Sequence, residues 1–168
     1  AKQRASELTT VNSISKALAS MLDPQELIKL VGDQLRDLFS ANIVYLAVVE
    51  QSTNTIYFPY QYGDDMAPMP LGEGLTSKII LTGQSLLINK DVTDLSHQMG
   101  VSVVGIPSSS YLGVPIPVGE EIIGVLSVQS TEQENRFNES DQRLLSTIAA
   151  SVGVALRNAK LFEEVQQS

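Results

Sequence analysis

The sequence Tyr111-Leu112-Gly113-Val114-Pro115-Ile116-Pro117-Val118 is followed by Gly119-Glu120-Glu121 and then by Ile122-Ile123-Gly124-Val125-Leu126-Ser127-Val128. Two runs rich in β-branched residues around a short polar segment with a glycine predict a β-hairpin. A polar connection, residues 129–136, leads to Phe137-Asn138-Glu139-Ser140-Asp141 and then to a long helical pattern. The succession of hairpin, polar loop and long amphipathic helix decides the fold prediction.

Two further blocks lie upstream of this hairpin. They are Leu71-Gly72-Glu73-Gly74-Leu75 and Thr82-Gly83-Gln84-Ser85-Leu86-Leu87-Ile88, the second followed by Asp91-Val92. With these blocks in this order, the chain resembles a GAF domain over roughly residues 22–160. The resemblance implies an α/β (α+β) fold with a central antiparallel sheet of five or six strands, flanked by helices, and with long N- and C-terminal helices. The predicted units are a linker or coiled-coil helix (1–22), a GAF domain (23–160) and a C-terminal helix (145–168) that continues to an output domain.

The composition restricts the classes of function. A chain of 168 residues with 43% apolar and 18% charged residues fits one globular domain with a sizeable core. A net charge of −8 argues against nucleic acid as a partner and against direct contact with an anionic membrane. The chain has no cysteine, which excludes disulfides, thiolate zinc sites, a cysteine nucleophile and a thioether-linked chromophore. No apolar run is long enough to span a membrane, so we expect a cytoplasmic protein.

Several local signals predict the order of elements between the two ends. Asp23-Pro24-Gln25-Glu26 is typical of a helix start, because Asp23 can cap the helix and proline suits its first position. The run Ile43–Val49 is apolar on both faces and predicts a central strand. In the next strand, Pro59 indicates an edge or a bulge. Residues 74–81 predict a short helix that ends at Gly83. The resemblance places the first, second and last helices on one face of the sheet.

Apolar residues at alternating steps of three and four mark both terminal helices. Such stripes predict that two copies of the chain bury these helices in a four-helix bundle, although the first helix also fits packing on its own domain. The predicted homodimer contacts are Leu8, Val11, Leu18, Leu22, Leu145, Ile148, Val152, Ala155 and Phe162.

The segment Asn89–Ser110 lacks clear periodicity, and a connection of this length inside a compact domain favours a functional role. In GAF domains the corresponding segment covers a ligand pocket, so the resemblance implies that it is a lid. Only Lys78 and Lys90 supply positive charge in the pocket segments, which disfavours a multiply charged anion as the ligand. The ligand-binding residues implied by the resemblance are Val44 or Tyr45, with Tyr60, Leu75, Thr76, His97, Met99, Ser109, Tyr111 and Ser127.

The single histidine and the absence of cysteine disfavour enzymatic activity and bound cofactors. His97 is the one histidine, and no nucleophile elbow accompanies it for a triad with a serine and Asp91 or Asp94. The GAF proteins that reduce free methionine sulfoxide use cysteines, which this chain lacks. Haem held by His97, a bilin without a cysteine, and a metal site are likewise disfavoured, so no cofactor is required.

Cyclic-nucleotide binding is also disfavoured. The signature of cyclic-nucleotide GAF domains matches at Phe137 and Asp141, but Gln142 replaces its glutamate and Ser130-Thr131 replaces its Asn-Lys pair. The expected function is therefore a small-molecule-sensing or regulatory module of a multidomain signalling protein, such as a histidine kinase, a diguanylate cyclase or a transcriptional regulator. Such a module relays the state of its pocket through dimerising terminal helices. The alternative is a dimerisation or relay domain without a ligand.

Overall fold

The computed structural model of the protein describes the backbone of residues 23–167 and the side chains of residues 23–158. Within these limits the chain forms four helices and six strands, which are α1 (Pro24–Phe39), β1 (Ile43–Glu50), β2 (Thr55–Tyr62), β3 (Met69–Pro70), α2 (Gly74–Thr82), β4 (Leu86–Ile88), α3 (Val92–Gln98), β5 (Ser110–Val118), β6 (Glu121–Ser130) and α4 (Glu139–Gln167). Of the predicted dimer contacts, five lie outside the described side chains, namely Leu8, Val11, Leu18, Leu22 and Phe162.

The six strands form one antiparallel sheet in the order β3-β2-β1-β6-β5-β4. This architecture confirms the predicted fold class. Strand β1 lies in the middle, as its apolar character on both faces predicts. Strands β5 and β6 form the predicted hairpin, in which Val118 pairs with Glu121 across a two-residue turn. Gly119 has a φ of +60° at the first turn position, where a type II′ turn favours glycine.

Helices α1 and α4 cover one side of the sheet, which we call the helix face. Asp23 caps α1 as predicted, since its carboxylate accepts a hydrogen bond of 2.9 Å from the Gln25 N–H. The two helices and the sheet share one buried cluster, whose largest members include Leu27, Val31, Leu35, Leu46, Leu126, Leu145 and Ile148. The prediction that the second and last helices of the chain pack on the same face is therefore confirmed.

Helices α2 and α3 cover the opposite side, which we call the pocket face. Helix α2 ends at Gly83 as predicted, with a φ of +68° and an N–H···O bond of 2.8 Å to Ile79. A second buried cluster lies here and includes Tyr45, Ala47, Ile56, Met69, Ile79, Tyr111 and Val125. The pocket face is therefore where the fold buries tyrosine hydroxyls.

The last helix corrects part of the predicted dimer interface. Leu145, Ile148 and Val152 are at most 1% exposed and pack in the helix-face core, and Ala155 packs partly against it. These residues are unavailable for contact with a second copy in this conformation. The error has a physical cause, because steps of three and four describe any amphipathic helix that buries one face, whether on its own sheet or on a partner. No helix within residues 23–167 has the length and apolar character that crossing a membrane requires.

Candidate functional site

A small cavity lies on the pocket face, between the sheet and the segment that precedes β5. Its volume is about 40 Å³, room for roughly three water molecules. Pockets for organic ligands are commonly about 300–1,000 Å³, so the cavity as it stands is too small for such a ligand, and we refer to it below as the closed cavity. Its polar lining consists of Tyr45, Asp64, Thr76, Ser96, Ser102, Ser108, Tyr111 and Gln129. Its apolar lining includes Met66, Met69, Leu75, Val92, Val104 and Ile106.

Three hydroxyl groups meet at the cavity, and we call them the hydroxyl trio. The Tyr45 hydroxyl lies 2.5 Å from Thr76 Oγ1 and 2.8 Å from the Tyr111 hydroxyl. Strand pairing brings the tyrosines together, because β1 and β5 both pair with β6 and the two side chains point to the same face. Thr76 reaches them from the first turn of α2. All three residues are buried.

Burial keeps both tyrosines protonated. It raises the pKa of Tyr45 above its ordinary value, although the hydrogen bonds from its neighbours oppose the rise. It raises the pKa of Tyr111 further, and the adjacent Tyr45 adds to this effect. The trio is therefore a cluster of neutral hydroxyl groups that can donate as well as accept hydrogen bonds.

We expect the protein to lose stability as the pH rises above about 10, where tyrosines of the unfolded chain ionise. Since burial raises the pKa of Tyr45 and Tyr111, the folded state keeps protons that the unfolded state has released. The contribution of these tyrosines to the free energy of unfolding is therefore fully present below their pKa in the unfolded chain. It falls by about 1.4 kcal/mol per pH unit for each tyrosine as the pH rises toward their pKa in the folded protein. Guanidinium unfolding at about pH 8 to 11 measures the slope. Tyr111→Phe should reduce it, and an unchanged slope would contradict this account.

A second polar chain links the floor of the cavity to its cover. The Ser108 hydroxyl donates to Gln129 Oε1, and Gln129 Nε2 donates over 3.2 Å to Ser127 Oγ. Ser127 in turn donates over 3.0 Å to the Leu112 carbonyl. Gln129 is buried near the end of β6, where a long amide side chain can reach toward the loop before β5.

The cover consists of α3 and residues 99–109, which we call the lid loop. The Asp64 carboxylate holds the loop in place by accepting a 2.8 Å hydrogen bond from the Ile106 N–H. Gly105 is required beside this contact, since its φ is +80° and a Cβ there would lie 2.4 Å from Asp64 Oδ2. Gln61 orders the segment that carries Asp64 by bonding both the N–H and the carbonyl of Met66. We call the Asp64–Ile106 contact the latch.

The structure brings four of the predicted ligand-binding residues to the cavity, namely Tyr45, Leu75, Thr76 and Tyr111. Ser127 does not line the cavity. It belongs to the series of hydrogen bonds that runs from Ser108 through Gln129 to Ser127. Met99 packs on the pocket-face core, and Ser109 donates over 3.0 Å to the Thr131 carbonyl, but neither residue lines the cavity.

Three predicted residues lie elsewhere. Val44 packs in the helix-face core, since neighbouring residues of a strand point to opposite faces. Tyr60 also lies on the helix face, where its hydroxyl donates over 2.9 Å to Asp33 Oδ1. His97 is exposed on α3 and is not part of the cavity lining, while Val92 and Ser96 of that helix are.

A bulge explains the position of Tyr60. Phe58 and Pro59 of β2 stand opposite the single residue Ala47 of β1, which reverses the alternation of side chains. Ile56 therefore packs on the pocket face and Tyr60 on the helix face, although they are four residues apart. The prediction of an edge or a bulge at Pro59 was right, but its consequence for Tyr60 was missed.

Several residues that line the cavity were not predicted from the sequence. Ser108 and Gln129 resemble ordinary loop and strand-end residues, and Asp64 and Met66 lie in residues 63–70, whose sequence predicts only a loop. The one available signal was the Gly and Pro content of residues 63–70, which marks the loop but not its direction. Among the described residues, no group of three or more His, Asp or Glu side chains is arranged to hold a metal ion.

Comparison with known proteins gives related sequences. The family model for the GAF domain matches residues 21–157. A Nif-specific regulatory protein of Herbaspirillum seropedicae is 27% identical over 167 residues, which cover 90% of this chain and 29% of that protein. A formate hydrogenlyase transcriptional activator of Salmonella typhimurium is 24% identical over 165 residues, covering 92% of this chain and 24% of that protein. The chain thus spans less than a third of the length of these relatives.

Solved structures show the same fold at lower identity. The GAF domain of an Acinetobacter phosphoenolpyruvate-protein phosphotransferase superimposes with a TM-score of 0.79 at 17% identity, over 92% of this chain and 94% of that one. Free methionine-R-sulfoxide reductase from Neisseria meningitidis, solved with its substrate, gives a TM-score of 0.82 at 18% identity, over 96% and 94%. The family match covers most of the chain and the architecture agrees with it, so this chain belongs to the GAF domain family.

Proposed function

We propose that the chain is a sensory or regulatory module of a multidomain transcriptional regulator, and that it transmits the state of the cavity to its long helices. The relatives described above carry the words regulatory protein and transcriptional activator in their names. These names favour a regulator over a histidine kinase or a diguanylate cyclase. The observation that carries the proposal is a continuous series of hydrogen bonds from the lid loop to the ends of α1 and α4.

The first part of this series joins the lid loop to the connection between β6 and α4, residues 131–138. The Ser109 N–H donates over 2.7 Å to the Ser130 carbonyl at the end of β6, and the Ser109 hydroxyl donates over 3.0 Å to the Thr131 carbonyl in the connection. Ser110 is fully buried, and its hydroxyl donates over 2.7 Å to the Gln133 carbonyl while accepting over 3.2 Å from the Arg136 N–H. A displacement of the lid loop therefore acts directly on this connection.

The second part joins the connection to both long helices. The Arg136 guanidinium donates to the Phe39 carbonyl at the C-terminal end of α1. At the start of α4, Asn138 and Asp141 each accept a 2.9 Å hydrogen bond from the other's N–H, as in a capping box. Asn89, which precedes α3, bonds both the N–H and the carbonyl of Phe137. The cover of the cavity and the two helix ends thus share one network.

The proposed mechanism follows from these contacts. A ligand too large for about 40 Å³ must displace the lid loop, because the floor of the cavity is the packed sheet. Movement of the loop would displace Ser109 and Ser110 and, through their hydrogen bonds, the connection. The connection would then shift the first turn of α4 relative to the last turn of α1. A ligand that binds the open state better than the closed state would change their populations in this way.

The second candidate function is a relay without a ligand, and the closed cavity favours it. In both cases we infer a homodimer formed through the terminal helices. Helix α4 continues to Gln167, about three turns past Leu156, which packs partly on the helix-face core. Isolated helical turns are marginal in water and gain stability from a partner. The module itself is proposed to lack enzymatic activity, because the chain has no cysteine and His97 lies outside the cavity.

Opening the latch tests the coupling without any ligand. Asp64→Ala removes the acceptor for the Ile106 N–H, so hydrogen exchange in the lid loop should rise about fivefold, the equivalent of one lost hydrogen bond of about 1 kcal/mol. Exchange in the first turns of α4, residues 139–146, should rise at least about twofold if the network transmits the change. Mass spectrometry of deuterated peptides measures both segments.

Two further variants separate transmission from local loosening. Asp65→Ala changes a neighbouring exposed carboxylate outside the latch and should leave both segments unchanged. Asp64→Ala combined with Ser110→Ala should still loosen the lid loop but add less to the exchange of α4 than Asp64→Ala does in the parent protein, because only the Ser109 bonds to Ser130 and Thr131 then remain. A loosened lid loop with unchanged α4 in the Asp64→Ala protein would refute the proposed function.

A further inference from the structure

The hydroxyl trio contains more hydrogen-bond donors than its own contacts use. Tyr45, Thr76 and Tyr111 carry three hydroxyl protons, and only two O···O contacts join them. Whichever way the two bonds run, one proton is left to donate outside the trio. The cavity lies beside all three residues. An acceptor placed there would receive a hydrogen bond that the trio cannot make internally.

The protein offers a poor alternative acceptor for that proton. Ser127 Oγ lies next to the tyrosines, and its hydrogen bonding lowers the pKa of both against the effect of burial, which is the effect of a donor to the tyrosine oxygens and not of an acceptor of their protons. It is already engaged twice, as donor to the Leu112 carbonyl and as acceptor from Gln129 Nε2. A carbonyl oxygen with two free lone pairs would therefore compete well for the proton.

Gln129 adds a second donor at the cavity. Its amide nitrogen carries two protons, and one of them is used by Ser127. Its amide oxygen is occupied by the Ser108 hydroxyl. The polar part of the lining therefore presents one unused amide N–H of Gln129 and one surplus O–H of the trio to an acceptor on a ligand.

The charge of the lining limits the ligand further. Among the described residues, no lysine or arginine lines the cavity, and Asp64 is its one charged side chain. A buried anion would have no cation to compensate the loss of its hydration and would face a carboxylate. A cation lacking an acceptor would leave the surplus protons unused.

Resting on the proposed sensory function, we propose that the cavity selects a small molecule of zero net charge whose carbonyl-type oxygen accepts from the trio of Tyr45, Thr76 and Tyr111. The apolar wall, which includes Met66, Met69 and Leu75, would take up the uncharged remainder of the molecule. Its first few heavy atoms fit the closed cavity, and a larger remainder requires the latch to open.

Three probes of equal shape test this selection. Acetamide is neutral and has a carbonyl oxygen, acetate carries one negative charge, and acetamidinium carries one positive charge and no acceptor. Each is titrated into the ¹⁵N-labelled protein, and amide chemical shifts are followed by NMR. Acetamide should give saturable shifts at residues 75–76 and 111–112, with at least about tenfold higher affinity than either charged probe, as one desolvated charge would cause.

Conservative variants connect the binding to the trio. Tyr111→Phe alone would leave Tyr45 and Thr76 with one surplus proton, so the test combines Tyr45→Phe, Thr76→Val and Tyr111→Phe, which removes every hydroxyl of the trio and keeps the side-chain shapes. Acetamide should bind this triple variant about fivefold more weakly, as expected for one lost hydrogen bond. The matched control is Tyr57→Phe on the exposed side of β2, which should bind acetamide like the parent protein. An unchanged affinity of the triple variant, shown by circular dichroism to be folded, would overturn the assignment of the trio.

The remaining outcomes distinguish the two proposals. Shifts at the same residues with acetate or acetamidinium as the tightest probe would overturn the neutral-acceptor class while preserving a small-molecule site. No saturable shift with any probe would overturn the inference itself. The exchange experiment on Asp64→Ala uses no ligand, so the proposed transmission from lid loop to α4 stands or fails separately.

Discussion

Leu145→Ala is expected to lower the free energy of unfolding by about 3 kcal/mol, because it removes buried methyl groups and leaves a cavity under the sheet. Leu145 is completely buried on α4 and packs in the cluster that α1 and the sheet complete. The loss arises within one copy of the chain, so it should be the same at every protein concentration. Guanidinium unfolding followed by circular dichroism, repeated over about a hundredfold range of concentration, measures it.

The matched control is Val154→Ala on the same helix. Val154 is 55% exposed and faces away from the core, so its replacement should change the free energy of unfolding by less than about 0.5 kcal/mol. A small effect of Leu145→Ala, or a large one seen only at concentrations that favour a dimer, would contradict the core assignment. It would return Leu145 to the predicted dimer interface.

The order of helices and strands could be predicted from the sequence because the signals for it are local. The hairpin follows from two β-branched runs around Gly119, and the central position of β1 follows from a strand apolar on both faces. The start of α1 at Asp23-Pro24 and the end of α2 at Gly83 follow from capping chemistry. Each of these signals involves residues close together in the chain.

The periodicity of α4 illustrates what a local signal does not predict. Leu145, Ile148 and Val152 repeat as in a coiled-coil helix, yet the sheet and α1 of the same chain cover them, not a helix of a second copy. Which surface covers a stripe depends on contacts between distant segments. Periodicity gives the buried side of a helix but does not identify its neighbour.

The candidate site was predicted only in part for a similar reason. Tyr45, Thr76 and Tyr111 were identified through the family resemblance, and the structure places their hydroxyls in contact. Tyr60 was misplaced because one inserted residue in β2 reverses the faces of the strand. Asp64 was missed because its contact with Ile106 spans 42 positions along the chain, a pairing that no local pattern encodes.

Gly153→Ala is expected to lower the free energy of unfolding by about 2 kcal/mol, although alanine is the better helix former by about 1 kcal/mol. Gly153 lies inside α4 where the helix packs against Ile116, Pro117 and Val118 of β5. A Cβ there would lie 2.3 Å from the Pro117 carbonyl oxygen and 3.2 Å from the side chains of Ile116 and Val118. The carbonyl belongs to the sheet backbone and cannot rotate away, so α4 must move off β5 and disturb the helix-face core. Guanidinium unfolding of the purified variant measures the change.

The reverse substitution on the exposed side of α4 provides the reference. Ala150→Gly should cost about 1 kcal/mol through helix propensity alone, since Ala150 is exposed. Helix propensity alone predicts that Ala150→Gly lowers the free energy of unfolding and that Gly153→Ala raises it. The close approach of Gly153 to Pro117 predicts that both variants lose stability. A more stable Gly153→Ala protein would show that α4 can withdraw from β5 without cost. In that case the helix would be free to shift along its whole length, not only near the Asn138 cap.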